Sequence, residues 1–519
     1  MFYAHPAIGK CGFQQRVFFA SVSSAAFAFV LSWPILREAF AIDVKELPVT
    51  QPIIVWFRQD LRLDDNMAVA ACVEAGAPMI ALFIDDRQQG RQAGAVSLWW
   101  RDQSLRALAN DLQRRGSQLI FRQGDAASQL NQLIDETKAQ AVFWNRQYDA
   151  ESIARDTAIK ADLQARQINA ESFNATLLFE PWEIRSKTAN TPFKVFTPFW
   201  NACQTHGIDT SIWDAPKQFL APSKWPQSLA LTKTNLPEGA LALDQWHPGE
   251  AGARKTLHRF LSENIHGYAD GRDFPAKPAT SRLAPHLRWG EISPRRLFAE
   301  TAAARVSAND QKKFFAEIGW REFSYQTLFH NPDLKSTCLQ PKFEPFPWRE
   351  GADAEADFEA WKSGNTGYPI VDAGMRELRQ TGYMHNRVRM IAASFLIKHL
   401  LIDWRRGEAW FWKRLADADP ANNTASWQWV AGCGADAAPY FRIFNPIIQG
   451  QKFDPDGQYT KRYVPELNGL SGKMLFSPWL AKSDLLENAN IQLGQSYPAP
   501  IVEHDFARNR ALDIFKALA

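Results

Sequence analysis

Between Ile53 and Trp144 four short apolar runs alternate with stretches of helix length, and this alternation restricts the fold more than any other feature of the chain. The runs are Ile53-Ile-Val-Trp-Phe57, Met79-Ile-Ala-Leu-Phe-Ile84, Gln118-Leu-Ile-Phe121 and Ala141-Val-Phe-Trp144. Each is nearly continuous instead of alternating with polar residues, the pattern of a strand covered on both faces. Helical stretches begin at Met67, Ser97 and Ala126 between them. Strands joined through helices by short loops run parallel, with helices on the faces of the sheet. No G-x-G-x-x-G follows the first run, so an ordinary dinucleotide site is unsupported there.

From Asp209 to Trp246 periodicity fades and Pro, Ser, Lys and Trp dominate, as in a long linker. From Glu250 onward the chain reads as amphipathic helices, among them Gly252–His266, Ser293–Ala304, Lys312–Leu328 and Met384–Leu401. The expected class is α/β + α: a parallel-sheet, Rossmann-like domain over 51–182, a linker over 183–248 and an all-helical C-terminal domain over 249–519. Residues 1–50 are set apart as an extension. There Lys10 and Arg16 precede an uncharged run from Val17 to Leu36, and Ala39-Phe40-Ala41 resembles a small-x-small cleavage site. A secretory signal or short anchor, a disordered extension and a start codon assigned too far upstream all stay open.

With 46% hydrophobic and 22% charged residues the composition is that of a soluble globular protein, and a net charge of +3 means that any DNA binding depends on a local basic patch. Five cysteines without a C-x-x-C argue against a disulfide framework or zinc site, and for a reducing compartment. The expected location is therefore the cytoplasm, with organelle targeting or export by the first residues as the alternative. No stable membrane association is expected. Twenty tryptophans ask for a cause, of which packing of large cores is the plainest.

Glu317, Trp320 and Arg321 lie at i, i+3 and i+4 and share a helix face, as a surface Glu–Arg pair beside a core Trp or as part of a site. The run Met384-His-Asn-Arg-Val-Arg-Met390 places polar groups in an otherwise apolar helix, where unpaired charges are costly. Thr280-Ser281-Arg282-Leu283 either caps the next helix or cradles a phosphate. Asp417, Asp419 and Asn423 surround Pro420, and can cap a helix or bind ribose hydroxyls and ring nitrogens. Together these residues describe a pocket for a large, polar, aromatic ligand.

Several blocks in order resemble the DNA photolyase/cryptochrome flavoproteins: Trp56-Phe-Arg-Gln-Asp-Leu-Arg62, Trp289-Gly-Glu-Ile-Ser293, Thr366-Gly-Tyr-Pro-Ile-Val-Asp-Ala373, Gly382–Met390, Asp417–Trp429 and Tyr440-Phe-Arg-Ile-Phe-Asn-Pro446. The resemblance runs from about residue 52 to the C-terminus and implies an FAD bound within the helical domain. By similarity Tyr268, Thr280, Ser281, Arg282 and Leu283 hold its phosphates and neighbouring groups. Arg321, Arg389, Asp417 and Asp419 contact the remainder, Arg389 pairing with Asp417 over the ring. Asn423 faces flavin N5, where an amide, unlike an Asp, cannot act as an acid.

The resemblance further implies a lesion pocket framed by Glu317, Trp320, Asn386, Met390 and Trp429, with Arg387 on a neighbouring phosphate. It also implies a photoreducing tryptophan chain of Trp427, Trp404 and Trp348. The implied activity is light-driven repair of cyclobutane pyrimidine dimers in UV-damaged DNA, by electron transfer from excited FADH⁻. A monomer associated with the nucleoid is expected. In the (6-4) photolyases histidines meet the lesion; here the matching positions read His385-Asn386 and Met390, which favours cyclobutane dimers. A cryptochrome-type photoreceptor is the other alternative. Asn423, the Trp/Met pocket and a chain that stops soon after the helical domain are read against it. The antenna is 5,10-methenyltetrahydrofolate, 8-hydroxy-5-deazaflavin or none. Trp144 to Asp156 resembles a folate region, but Ser152 stands where a carboxylate is expected.

Overall fold

The computed structural model describes residues 51–86, 90–231, 233–236, 239–240 and 243–518. The N-terminal extension, with its Val17–Leu36 run, lies outside the described residues, and Leu47–Ala519 forms one compact unit. Five strands, β1 (Ile53–Phe57), β2 (Met79–Asp85), β3 (Leu119–Gln123), β4 (Ala141–Asn145) and β5 (Asn169–Phe173), make a parallel sheet of order β3-β2-β1-β4-β5. Every residue of β1, β2 and β4 is buried, which explains their unbroken apolar sequences. Helices α1 (Met67–Glu74), α2 (Ala95–Arg114), α3 (Ala126–Thr137) and α4 (Ala150–Ala165) make the crossovers. Asn66, Asp125 and Asp149 start α1, α3 and α4, each side chain accepting a backbone N–H of the first turn.

The Pro- and Trp-rich segment is no free tether. It carries α5 (Phe196–His206), which buries Phe199, Trp200 and Cys203. Beyond α5 it returns along the sheet lobe, where Met79 N donates to Leu220 O at 3.0 Å, Phe219 N to Arg115 O at 2.9 Å and Leu229 N to Phe121 O at 2.9 Å. Phe219, Leu243 and Trp246 are buried along this strap.

The rest of the described chain is helical. Six of its helices carry the argument: α6 (Ala308–His330), α7 (Pro369–Thr381), α8 (Asn386–Ser394), α9 (Trp404–Arg414), α10 (Asn422–Ala431) and α11 (His504–Ala517). Gly382 ends α7 at φ +66°, a left-handed conformation that glycine adopts without strain. At Gly407 a Cβ would run into the Trp427 ring, so the missing side chain lets α9 and α10 close on each other.

Asp372 organises the start of α7. Its Oδ1 accepts from Thr366 N and Thr366 Oγ1, both at 2.7 Å, and its Oδ2 from Gly367 N at 3.1 Å and Tyr497 OH at 2.6 Å. The carboxylate is fully buried. The Thr366–Ala373 block is therefore a structural clamp.

Arg62 joins the sheet lobe to the helical lobe. Its guanidinium donates to Asp64 O at 2.9 Å, Asp65 O at 2.8 Å, Ala175 O at 2.5 Å and Gly290 O at 2.8 Å. Nearby, Trp100 Nε1 and Gly249 N both donate to the buried Glu291 carboxylate, at 2.9 and 2.7 Å. Among the described residues no helix is long and apolar enough to cross a membrane.

Candidate functional site

Helices α6, α8, α9 and α10 enclose a cavity of about 590 Å³, within the size range of cofactor and ligand sites. Twelve residues expected at the site line it: Glu317, Trp320, Arg321, Asn386, Arg387, Arg389, Met390, Asp417, Asp419, Asn423, Trp427 and Trp429. They come from three separate segments, α6 for the first three, α8 for the next four, and α10 with the turn before it for the rest.

The ionic contacts of the wall are specific. Arg389 Nη2 meets both oxygens of Asp417, at 2.8 and 3.1 Å, while its Nε donates to Met384 O at 2.7 Å. Glu317 is not paired with Arg321. Its carboxylate takes both terminal nitrogens of Arg272, one at 2.9 Å, with Lys313 Nζ at 3.7 Å. Arg321 instead donates to Thr176 O at 2.8 Å and lies 3.4 Å from Glu322. Burial pushes the Glu322 carboxyl up to about 7, against the opposing pull of Arg321. Arg387 is engaged by Asp273 at 2.6 Å and packs its guanidinium 4.4 Å from the Phe453 ring.

Asp419 serves as a cap. Its Oδ1 accepts from Ala421 N, Asn422 N and Asn422 Nδ2 at 2.8–2.9 Å, and its Oδ2 from Tyr325 OH at 2.5 Å. Trp320 lies parallel to Phe196 with centroids 3.9 Å apart, which braces one flat wall of the cavity.

Seven expected residues are not on the lining. Tyr268 is buried against Phe260 and Phe314. Thr280, Ser281, Arg282 and Leu283 form the turn before Ala284–Arg288, of which Ala284, Leu287 and Arg288 do face the cavity. Arg282 has φ +54°, and its guanidinium lies over Trp246 and Tyr383 at 4.3 and 4.6 Å. Trp404 is fully buried at the start of α9, with the Arg405 guanidinium 4.9 Å from its ring. Trp348 is half-buried and packs on Phe346 at 4.2 Å.

Arg288 is a lining residue that motif reading passed over. It sits in a five-residue helix with no periodic signal; only the adjacent Trp289 block marks the place. Its Nε donates to Ala418 O, while its Nη1 is buried with no hydrogen-bond acceptor among the described residues. A buried guanidinium nitrogen lacking an acceptor is costly, and an anionic or carbonyl-bearing ligand relieves that cost. With Arg389, Asn423 and the Trp427 ring nearby, the lining suits FAD, which combines phosphates, hydroxyls and a large aromatic system.

His385 starts α8, its Nδ1 accepting from Arg387 N at 3.2 Å. Burial holds the imidazole down at about 4, so it is neutral at pH 7. An unfolded histidine titrates near 6.5. Stability from the neutral form is thus complete above pH 6.5 and is lost as pH falls toward 4. His385→Asn keeps a capping side chain and lacks this titration. The stability advantage of wild type over the variant is expected to shrink by about 2–3 kcal/mol between pH 7.5 and 4.5, measured by urea unfolding. An advantage that does not change with pH would show that His385 titrates in the folded protein as it does in the unfolded chain.

At the C-terminal ends of β1 and β4, where the strand order reverses, there is a notch of about 10 Å³ beside Asp60, Asn145 and Tyr148. Glu151 at the head of α4 pairs with Lys335 at 2.9 Å, and Ser152 N donates to Asp149.

A parallel-sheet lobe joined to a helical lobe that holds a cavity of this composition defines a flavoprotein. The chain belongs to the DNA photolyase family: the family's pattern for DNA photolyase matches residues 53–218, and that for the FAD binding domain of DNA photolyase matches residues 314–517. Within the family it is 49% identical over 476 residues to a deoxyribodipyrimidine photo-lyase of Agrobacterium fabrum, spanning 90% of this chain and 98% of that one. It is 38% identical over 474 residues to cryptochrome-1 of Arabidopsis thaliana, spanning 88% of this chain and 69% of that one. Its fold matches the crystal structure of a bacterial class III photolyase from Agrobacterium tumefaciens with a TM-score of 0.87 at 49% identity, over 92% of this chain and 99% of that one.

Proposed function

We propose that this protein repairs cyclobutane pyrimidine dimers in UV-damaged DNA, using light and reduced FAD. One observation carries the reading: the residues suited to a flavin and those suited to a damaged base pair line the same cavity. The chemistry that FAD supplies there as FADH⁻, when excited by light, is donation of one electron to the dimer and its recovery after the ring opens.

The chain's own residues do the rest. Arg288, Arg389, Asp417 and Asn423 hold and orient the cofactor. Trp320 and Trp429 wall the mouth, where stacking is worth about 1–3 kcal/mol per base. That offsets the few kcal/mol needed to turn the dimer out of the duplex, a cost already reduced by its poor stacking. Glu317, fixed by Arg272, and Asn386 meet the polar edges of the bases, and Met390 fills the apolar space beside them. Arg387 reaches a phosphate next to the lesion by exchanging Asp273 for it. Trp427, Trp404 and Trp348 run from the cavity wall through a fully buried site to a half-buried one, a direction suited to bringing electrons in from the surface.

The test is repair of dimer-containing DNA by FAD-loaded, reduced protein, in light and in the dark. Repair is expected only in light. Glu317→Ala is expected to lower the repair yield about tenfold, the loss of one charge-assisted hydrogen bond, with affinity for undamaged DNA unchanged. Absence of repair under blue light, with the flavin bound and reduced, favours a photoreceptor and sinks the reading. The absorption spectrum of the same sample separates a folate antenna from a deazaflavin.

A further inference from the structure

Asn423 is held by a chain of contacts that begins in the other lobe. Arg91 lies between β2 and α2, and Glu408 lies on α9. The two side chains form a parallel fork, Nη1 to Oε1 at 2.7 Å and Nη2 to Oε2 at 2.6 Å. The guanidinium also lies 4.1 Å from the Trp412 ring, whose Nε1 donates to Gln92 O at 2.7 Å. Glu408 is only 2% exposed. Its Oε1 accepts from Asn423 Nδ2 at 2.7 Å and from Thr424 Oγ1 at 3.0 Å, and Asn423 Nδ2 also donates to Glu408 O at 3.1 Å.

An amide has two donor hydrogens on nitrogen and acceptor sites only on oxygen. Both acceptors facing Nδ2 belong to Glu408, and a carboxylate paired with a guanidinium accepts without donating. The flipped amide would set oxygen against oxygen in a buried place. Asn423 therefore has one stable orientation, with Nδ2 toward Glu408 and Oδ1 left for the cavity.

We propose that Arg91 is a positioning residue for the flavin: through Glu408 it makes Asn423 present an acceptor to N5. This rests on the reading that Asn423 faces N5. Reduced flavin carries a hydrogen on N5 and oxidised flavin a lone pair, so an acceptor at this point favours the reduced cofactor. A residue of the sheet lobe, outside the cavity, thus biases the redox balance of a cofactor bound in the helical lobe.

The experiment is the two-electron midpoint potential of the bound flavin in the full FAD-loaded chain. Arg91→Gln is expected to move the reduction equilibrium about tenfold toward oxidised flavin, about 30 mV for a two-electron couple, and to speed reoxidation in air. In an Asn423→Ala background the same substitution is expected to add nothing, because its effect passes through the amide. Arg91→Lys keeps the charge but loses the two-point fork and the stacking on Trp412, so a smaller shift in the same direction is expected, and it serves as the informative variant if Arg91→Gln does not fold. FAD bound with an unchanged potential in Arg91→Gln, or an equal shift with and without Asn423, overturns the inference alone. Wild-type protein that takes up no FAD overturns the proposed function and this inference with it.

Discussion

Replacing Asp372 with alanine is expected to cost about 3–5 kcal/mol of unfolding free energy, the range seen when one partner of a buried polar cluster is removed. Four donors converge on this carboxylate from the chain before α7 and from Tyr497. Alanine leaves all four without an acceptor in a place closed to water. Burial pushes the Asp372 carboxyl up from its ordinary range, and the hydrogen bonds from Thr366 and Tyr497 oppose that push. Asp372→Asn preserves the shape but replaces one acceptor by a donor, and is expected to lose about 1–3 kcal/mol. Chemical denaturation of the three proteins decides the matter. A loss below about 1 kcal/mol for alanine would mean that the segment relaxes and water reaches the orphaned groups.

Trp427→Phe is expected to bring photoreduction of the oxidised, FAD-loaded protein close to zero. Repair by protein that has been reduced chemically is expected to stay near the wild-type level. Trp427 lies on the cavity wall, is 3% exposed, and meets Phe411 edge-to-face at 5.0 Å. Phenylalanine fills only part of the indole's space, against Gly407 on α9, so a stability loss of about 1–3 kcal/mol accompanies the change. Transient absorption under blue light, beside repair assayed with dithionite-reduced protein, separates the two roles. Equal loss of both would make Trp427 a packing residue, and the chain of tryptophans would need another first member.

The elements easiest to read from sequence were those whose signal is local. The first four strands are continuous apolar runs because both faces of the central sheet are covered. β5, Asn169–Phe173, was missed: it is an edge strand with an exposed Asn and half-buried Glu and Ser, so no apolar run marks it. The strap after α5 reads as a linker because its anchors Phe219, Leu243 and Trp246 are widely spaced, and periodicity is blind to isolated contacts. Much of the cavity was legible through motif blocks whose order identifies a family. Arg288 and the Arg91–Glu408 fork were not, since one has no neighbours of its own kind and the other joins residues 317 positions apart.

The clasp at Arg62 distributes its burden unevenly. All four of its acceptors are main-chain carbonyls, and these are present whatever amino acid occupies positions 64, 65, 175 and 290. The bonds themselves thus ask nothing of the side chains at that end; those positions are held by other contacts, Gly290 by its close approach to the Gln59 backbone and Asp64 by its ion pairs with Arg254 and Arg296. The seam is therefore constrained on both sides of the same bonds, by the guanidinium itself on one and by local packing and charge on the other.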